Sequence, residues 1–311
     1  MKIPVIFDCD PGHDDALALV MAFASEKLDI KAVTVCAGNA ALDKTLSNAK
    51  RILRLLGQHV PLAAGAARPL LREPVYAPGI HGESGLDGAP LPPPDYPQEP
   101  LSAAGLQSRI ITQSPEPVTI IATGPLTNIA ILFSAFPEVK QNIAQISFMG
   151  GSAGPGNWTA AAEFNFYADP EAADIVLSSG LPLLMSGLNV TEKAFITKDE
   201  IDALRALGGQ TPVLIAALLD FYLGVYLKRG FPGAALHDPC AVASLTSPEL
   251  FSAGQYHVTV ETRGKHTAGM SLVDIRRWSD AKPNVTVNMD VDRTGFIKLL
   301  TDAAASYQQI A

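Results

Sequence analysis

IPVIFDCDPGHDDALALVMAFA, residues 3–24, begins with a short apolar run that ends at an aspartate and closes with a stretch of helical composition. Residues 3–8 (IPVIFD) have the length and composition of a buried strand, and 15–24 (DALALVMAFA) those of a helix. Residues 30–37 (IKAVTVCA) then return to β-branched side chains. The alternation continues outward with a helix at about 43–56, a strand near 117–122, a helix at 125–135 and a strand near 144–149. A helix from Asp169 through about Ser179 and a strand at 181–186 follow. Beyond these, the pattern predicts a long helix at about 211–228 and another from Asp238. Strands near 256–263 and 284–289 and a last helix from 292 complete it. Apolar strands separated by helices imply a mainly parallel central sheet flanked by helices on both faces, an α/β fold. The Pro/Gly-rich stretches 74–100 and 150–159 read as loops, because the strand–helix pattern resumes after each. Long loops inside a compact domain are usually functional. The expectation is one domain spanning residues 1–311.

Composition narrows the class. With 48% hydrophobic and 17% charged residues the 311-residue chain has ample material for a core, and neither disorder nor a fibrous repeat fits. No uninterrupted run of about eighteen apolar residues occurs, so no membrane span is expected. The apolar stretch before Asp8 is too short for a signal peptide. Only three cysteines occur, Cys9, Cys36 and Cys240, so no disulfide framework is expected and the cytoplasm is the predicted compartment. The net charge is −8 and the basic residues are scattered. A nucleic-acid-binding surface should carry a Lys/Arg stripe, so a small ligand or a metal suits this chain better.

The chemistry begins with Asp8, Asp10, Asp14 and Asp15, four carboxylates within the eight residues 8–15. They fall at the end of the first strand, where ligand sites of open α/β sheets lie. Asp14 and Asp15 also suit a first helical turn, where the dipole favours negative charge. Asp8 and Asp10 lie upstream of it, and crowded carboxylates repel unless protonated or bound to a cation. Oxygen ligands of this kind select Ca²⁺ or Mg²⁺. Far along the chain, LHDPC places His237 beside Asp238. Asp238 alone reads as a helix cap, but beside a titratable histidine it becomes a candidate for metal binding and acid–base work. In AEFNFYADPEAA, Asp169 before Pro170 reads as a cap. Glu163 and Asn165, two apart, would project to one face of an extended segment, as a pair of sugar-hydroxyl ligands should.

Taken together, these segments resemble the inosine–uridine-preferring nucleoside hydrolase family. The matching stretches are DCDPGHDD (8–15), AGN (37–39), HGESGLDG (81–88), ATGPLTNIA (122–130), MGG (149–151), GNWTAAAEFNFYADPEAA (156–173), LHDP (236–239) and DVDRTGF (290–296). The resemblance implies a single Rossmann-like α/β domain assembled as a homodimer or homotetramer. It implies Ca²⁺ held by Asp10, Asp15, Asp238 and the backbone carbonyl of Thr123. It further implies ribose contacts from Asp14, Asn39, Asn157, Glu163 and Asn165, with Met149 beside the sugar and His81 and His237 near the departing base. The implied reaction is hydrolysis of the N-glycosidic bond, with Asp10 as general base toward a water whose pKa the ion lowers. His237 is a candidate donor to the leaving base. Histidine at both 81 and 237 resembles the pyrimidine-preferring branch, which favours uridine and cytidine. Tyr222 and Tyr226 share a helix face; either could border the base, with packing the first reading, and His13 and Cys9 read as packing or neighbouring residues. Cys36 and Cys240 read as buried thiols; His59, His257 and His266 read as surface residues.

Two rivals compete. FDCD also suits a phosphohydrolase of the haloacid-dehalogenase type, with Asp8 as nucleophile and Mg²⁺ as ion. Pro11-Gly12-His13 replaces the continuation that class uses, and no later lysine with an acidic pair is evident. A nucleoside-binding protein without catalysis is the other, and it has no need of Asp10, Asp15 and Asp238 together.

Overall fold

The computed structural model describes residues 2–308. The opening stretch becomes strand β1 (Ile3–Cys9) and helix α1 (His13–Ala24). There follow β2 (Leu28–Val35), α2 (Leu42–Leu55), β3 (Leu62–Ala64), the single turn α3 (Pro78–His81) and α4 (Ala103–Gln113). Next come β4 (Val118–Ala122), α5 (Thr127–Ala135), β5 (Ile143–Met149), α6 (Phe164–Ala168), α7 (Pro170–Leu177) and β6 (Leu183–Ser186). The later part contains α8 (Leu188–Thr191), β7 (Phe195–Ile196), α9 (Lys198–Ala206), α10 (Gln210–Lys228), β8 (Ala234–Ala235) and α11 (Pro239–Thr246). It ends with β9 (Phe251–Tyr256), β10 (Val258–Val260), β11 (Ser271–Val273), β12 (Val285–Val291) and α12 (Arg293–Ala305).

Eight strands form the main sheet in the order β3-β2-β1-β4-β5-β6-β12-β9. Every pairing is parallel except β12 with β9. Side-chain alternation along β1 feeds two cores. Val5, Phe7 and Cys9 pack with α1, α10, α11 and α12, whereas Ile6 packs with α4, α5 and α7. This is the expected mainly parallel, doubly covered sheet. From β1 the chain winds outward through β2 and β3, then crosses to β4 on the other side. The connections after β1 and β4 therefore leave in opposite directions and open a crevice at the strand ends. Asp10 follows β1 there, and Thr123 follows β4.

Two helices, α4 and α9, were not legible as periodic stretches. The buried face of α4 mixes Ala103, Ala104, Leu106 and Ile111 with Gln107 and Ser108, which blurs its apolar period. The strand expected near 256–263 is divided. Its first residue, Tyr256, ends the antiparallel edge strand β9, and β10 leaves the sheet to pair with β11. Helix α10 is, among the described residues, the one helix long and apolar enough to cross a membrane by length and composition. Ile215, Leu218, Leu219, Tyr222 and Leu223 are buried in the core, while Asp220 on the outer side pairs with Lys198 and Arg205. It packs as the core helix of a folded domain.

Asp169 caps α7 as expected and does more. Its fully buried carboxylate accepts from Ala172 N (3.0 Å), Leu70 N (2.9 Å) and Thr127 Oγ1 (2.7 Å). An Asp169→Ala variant strands three donors, two of them buried, and is expected to lose about 2–4 kcal/mol of stability. Asp169→Asn keeps an acceptor and should lose less. Denaturant unfolding of both variants measures the difference.

Candidate active site

Asp8 points away from the crevice. Its Oδ1 accepts from Thr34 Oγ1, Gln107 Nε2 (3.2 Å) and Asn128 Nδ2 (2.8 Å), and burial pushes its pKa up to about 7. Asp10 sits where β1 ends. Its Oδ2 accepts from Asn39 N at 2.7 Å, and its Oδ1 is buried without a hydrogen-bond partner. Gly38 and Gly124 pack directly on this carboxylate; a Cβ on Gly38 would come within 2.0 Å of Oδ2 and one on Gly124 within 2.6 Å of Oδ1. No larger residue fits at either position while Asp10 stays in place.

Asp14 and Asp15 occupy the first turn of α1, as expected. Asp15 is held by Gly12 N (2.9 Å), Thr123 Oγ1 (2.7 Å) and Asn39 Nδ2 (3.2 Å). Asp238 stands at the N-cap position of α11 but makes no capping hydrogen bond, so the simple capping role does not account for it. Its carboxylate turns instead toward α1, and oxygens of Asp14, Asp15 and Asp238 lie within 4.8 Å of one another. This convergent triad contains Asp14 where the resemblance implied Asp10. Asp10 adjoins it, close enough to raise the pKa of Asp238 by repulsion.

The electrostatics of the cluster are one-sided. Burial is the first cause raising the pKa of Asp10, Asp14, Asp15 and Asp238, and mutual repulsion adds to it for Asp10, Asp14 and Asp238. Among the described residues, no lysine or arginine is a leading cause of any of the four shifts. Buried carboxylates without a cationic partner must protonate or bind a cation. A hard oxygen donor set with an orphaned buried oxygen on Asp10 fits a metal ion.

A cavity of about 490 Å³ opens above the cluster, lined among others by Asp14, Asn39, His81, Thr123, Met149, Asn157, Glu163, Asn165, His237 and Asp238. That volume is usual for a small-molecule site, roughly 300–1,000 Å³. Asp10 and Asp15 do not line it themselves but hydrogen-bond to Asn39 and Thr123, which do. The Thr123 carbonyl accepts from Asn165 Nδ2 at 2.7 Å, which leaves it a second lone pair. Glu163 and Asn165 meet at the cavity, but not on an extended segment. Glu163 caps α6, accepting from Asn165 N, Phe166 N and Gly151 N, and Asn165 lies in the helix. Burial pushes Glu163 up to about 7. Asn157 sits exposed at the mouth, where its Oδ1 accepts from Phe164 N at 3.0 Å.

The opposite wall comes from α10 and the loop before α11. Tyr226 OH lies 2.7 Å from His237 Nε2 and 3.2 Å from Tyr222 OH, and Thr191 Oγ1 lies 2.8 Å from His237 Nδ1. Burial lowers His237 to about 4. Both tyrosines line the cavity, so the alternative to packing, a place at the ligand site, describes them better. Sequence reasoning had the helical spacing of the two rings but no signal that this face of α10 turns toward His237. Arg229, Trp158 and Phe231 at the rim were not singled out. Cys9, Cys36 and Cys240 are free and buried, as expected.

The family model for "Inosine-uridine preferring nucleoside hydrolase" matches residues 5–298. The chain belongs to this family. It is therefore an enzyme of the nucleoside hydrolase class, whose members cleave the N-glycosidic bond of nucleosides. It is 51% identical over 310 residues to the "Pyrimidine-specific ribonucleoside hydrolase RihA" of Citrobacter koseri, covering 99% of each chain. With the protein of the same name from Escherichia coli K12 it shares 50% identity over 99% of this chain and 100% of the relative. Among solved structures it resembles the "Purine-Preferring Ribonucleoside Hydrolase from Gardnerella vaginalis", with a TM-score of 0.92 at 30% identity over 99% and 100% of the two chains.

The raised carboxylates give a pH signature. Asp8 and Glu163 move from ordinary values of 3.8 and 4.5 to about 7 on folding. A raised folded pKa contributes stability that is full below the unfolded value and lost as pH rises through the folded one. In chelator, the melting temperature should therefore fall between about pH 4 and pH 7, and a divalent cation should reduce the fall. Thermal unfolding with and without chelator measures both.

Proposed function

We propose that the chain is a Ca²⁺-dependent ribonucleoside hydrolase that prefers pyrimidine nucleosides, uridine and cytidine, and works in nucleoside salvage or catabolism. The observation that carries this reading is a cluster of buried carboxylates with no cationic partner beneath a nucleoside-sized cavity. The pyrimidine preference draws support from the names of the relatives at about half identity and from the two histidines at 81 and 237. Asp10, Asp15, Asp238 and the Thr123 carbonyl would hold Ca²⁺, with Asp14 beside them. When bound, the ion supplies charge compensation and lowers the pKa of the attacking water.

The residues then divide by task. Asp10 takes the proton of the water as general base. Asp14, Asn39, Glu163 and Asn165 hold the ribose hydroxyls, and Met149 lies against the sugar, so the anomeric carbon is fixed over the floor carboxylates. Those carboxylates stabilise positive charge as the glycosidic bond lengthens toward an oxocarbenium-like state. Asn157 at the mouth offers its amide donor to the sugar's outer end. His237, oriented by Thr191 and joined to Tyr226, faces the departing base and passes it a hydrogen bond or a proton. The same reading takes residues 1–311 as one catalytic domain in the cytoplasm, assembled as a homodimer or homotetramer, which sedimentation measures. Three reduced, buried thiols are in keeping with that compartment.

Purified protein is expected to release free base and ribose, without phosphate, from uridine and cytidine faster than from inosine. A binding protein without catalysis would release none from any nucleoside. Asp10→Asn should lower kcat by about 10²–10⁴-fold while substrate binding persists; an unchanged rate removes Asp10 as the base. Dialysis against a strong chelator should abolish turnover, and Ca²⁺ should restore it.

A further inference from the structure

Breaking the bond between C1′ and the base nitrogen separates charge: the sugar turns positive and the base takes the electron pair. A pyrimidine spreads that pair from N1 over its ring and onto its carbonyl oxygens. Carboxylates favour the first half of the separation and oppose the second. Among the described residues that line the cavity, Asp14, Glu163, Glu192 and Asp238 carry carboxylates, and Arg229 is the one lysine or arginine.

Arg229 stands at the C-cap of α10, where its amide donates to Tyr226 O at 3.0 Å. The turn that carries it is fixed. Gly230 takes φ 83°, Phe231 N also donates to Tyr226 O (3.2 Å), and the Phe231 ring meets Tyr226 edge-on with centroids 5.4 Å apart. Burial is the first cause that holds the Tyr226 phenol above its ordinary range, and Arg229 lies near enough for its charge to pull the phenol down. Tyr226 OH in turn reaches His237 Nε2, so the guanidinium stands on the side of the cavity that His237 occupies. It is exposed and, among the described residues, makes no hydrogen bond or ion pair. A cation at a helix C-terminus also answers the helix dipole. Lys228, one residue earlier, already does that and does not line the cavity.

We propose that Arg229 is a catalytic residue that takes up the negative charge arriving on the departing pyrimidine, by donating hydrogen bonds to a carbonyl oxygen of the base. A guanidinium stays charged throughout and presents its N–H donors in one plane, which suits the edge of a base. In the step, the electron pair of the C1′–N1 bond passes to the base. The water oxygen bonds C1′ and gives up a proton to Asp10. The base leaves as its anion beside Arg229 and takes a proton from solvent afterwards, while Asp10 returns its own to solvent. His237 then has only a hydrogen bond to give. Carboxylates and guanidinium act on opposite ends of one charge separation. This assignment rests on the pyrimidine nucleoside hydrolase reading above and names its leaving-group partner.

The test compares Arg229→Met with the native protein on uridine and on 5-fluorouridine, whose base carries negative charge more easily. The expected loss in kcat is about 10- to 100-fold for uridine, the scale of a charge-assisted hydrogen bond, and clearly smaller for 5-fluorouridine. Arg229→Lys keeps the charge and should recover part of the loss, and Lys228→Met should behave as native. Equal losses on both substrates, or a raised KM with kcat unchanged, make Arg229 a plain binding contact and overturn the proposal. An equal loss in Lys228→Met overturns it too, because the helix end and not the cavity would then be responsible. A second arm needs no turnover: calorimetric titration with 5-nitrouracil, which is ionised at neutral pH, beside uncharged uracil. The native protein should bind the anion more tightly and lose that preference in Arg229→Met; no preference in the native protein counts against the assignment. If the preference holds and depends on Arg229 but no nucleoside is hydrolysed, the charge assignment stands and the functional reading fails instead.

Discussion

Repulsion among buried like charges is the constraint on which this molecule turns. Asp10, Asp14, Asp15 and Asp238 are out of water, close together, and without a basic side chain to offset them. Isolated buried carboxylates of this kind are among the most unfavourable groups a fold can carry. They are tolerable because the parallel sheet changes winding direction here, leaving strand ends and helix starts whose amides and hydroxyls can be spent on them. Asn39 N holds Asp10; Gly12 N and Thr123 Oγ1 hold Asp15. What those donors leave unsatisfied, notably one oxygen of Asp10, is the part of the cluster open to a cation.

Much of the surrounding architecture serves this floor. The glycines at 38 and 124 let two connections pass against Asp10. Asn165 from α6 reaches across to the carbonyls of Thr123 (2.7 Å) and Met149 (3.2 Å), tying the ends of β4 and β5 to the α6 side of the cavity. Asp8 sits one layer below, in a polar network with Thr34, Gln107 and Asn128. It is a support for the strand end and not the nucleophile that the phosphohydrolase alternative required, since it faces away from the cavity.

How far the sequence could be read depended on whether a signal was local. The strand-to-helix transition at 3–24 combines a short apolar run, a cluster of acids and a helical stretch, so both the fold and the floor of the site were visible in it. Asp169-Pro170 was legible for the same reason. The extended segment expected at Glu163 and Asn165 is a helix start instead, because that spacing also suits a strand and the capping hydrogen bonds appear only on folding. The role of α10 was hidden more deeply. Tyr222 and Tyr226 are separated from His237 by a loop, and nothing in their spacing says which partner that helix face meets. His13 was read as a packing or neighbouring residue, which its ring stacked on Phe221 and Tyr222 bears out, but the Asp87 carbonyl that orients it lies 74 residues away.

The cavity is built by two unequal contributors. One half is made of sheet ends and helix starts locked into the main core, whereas the other hangs on the last turns of α10 and the rim residues Arg229 and Phe231. The same fold serves relatives named for pyrimidines and a neighbour named for purines, so the sheet by itself does not set the choice of base.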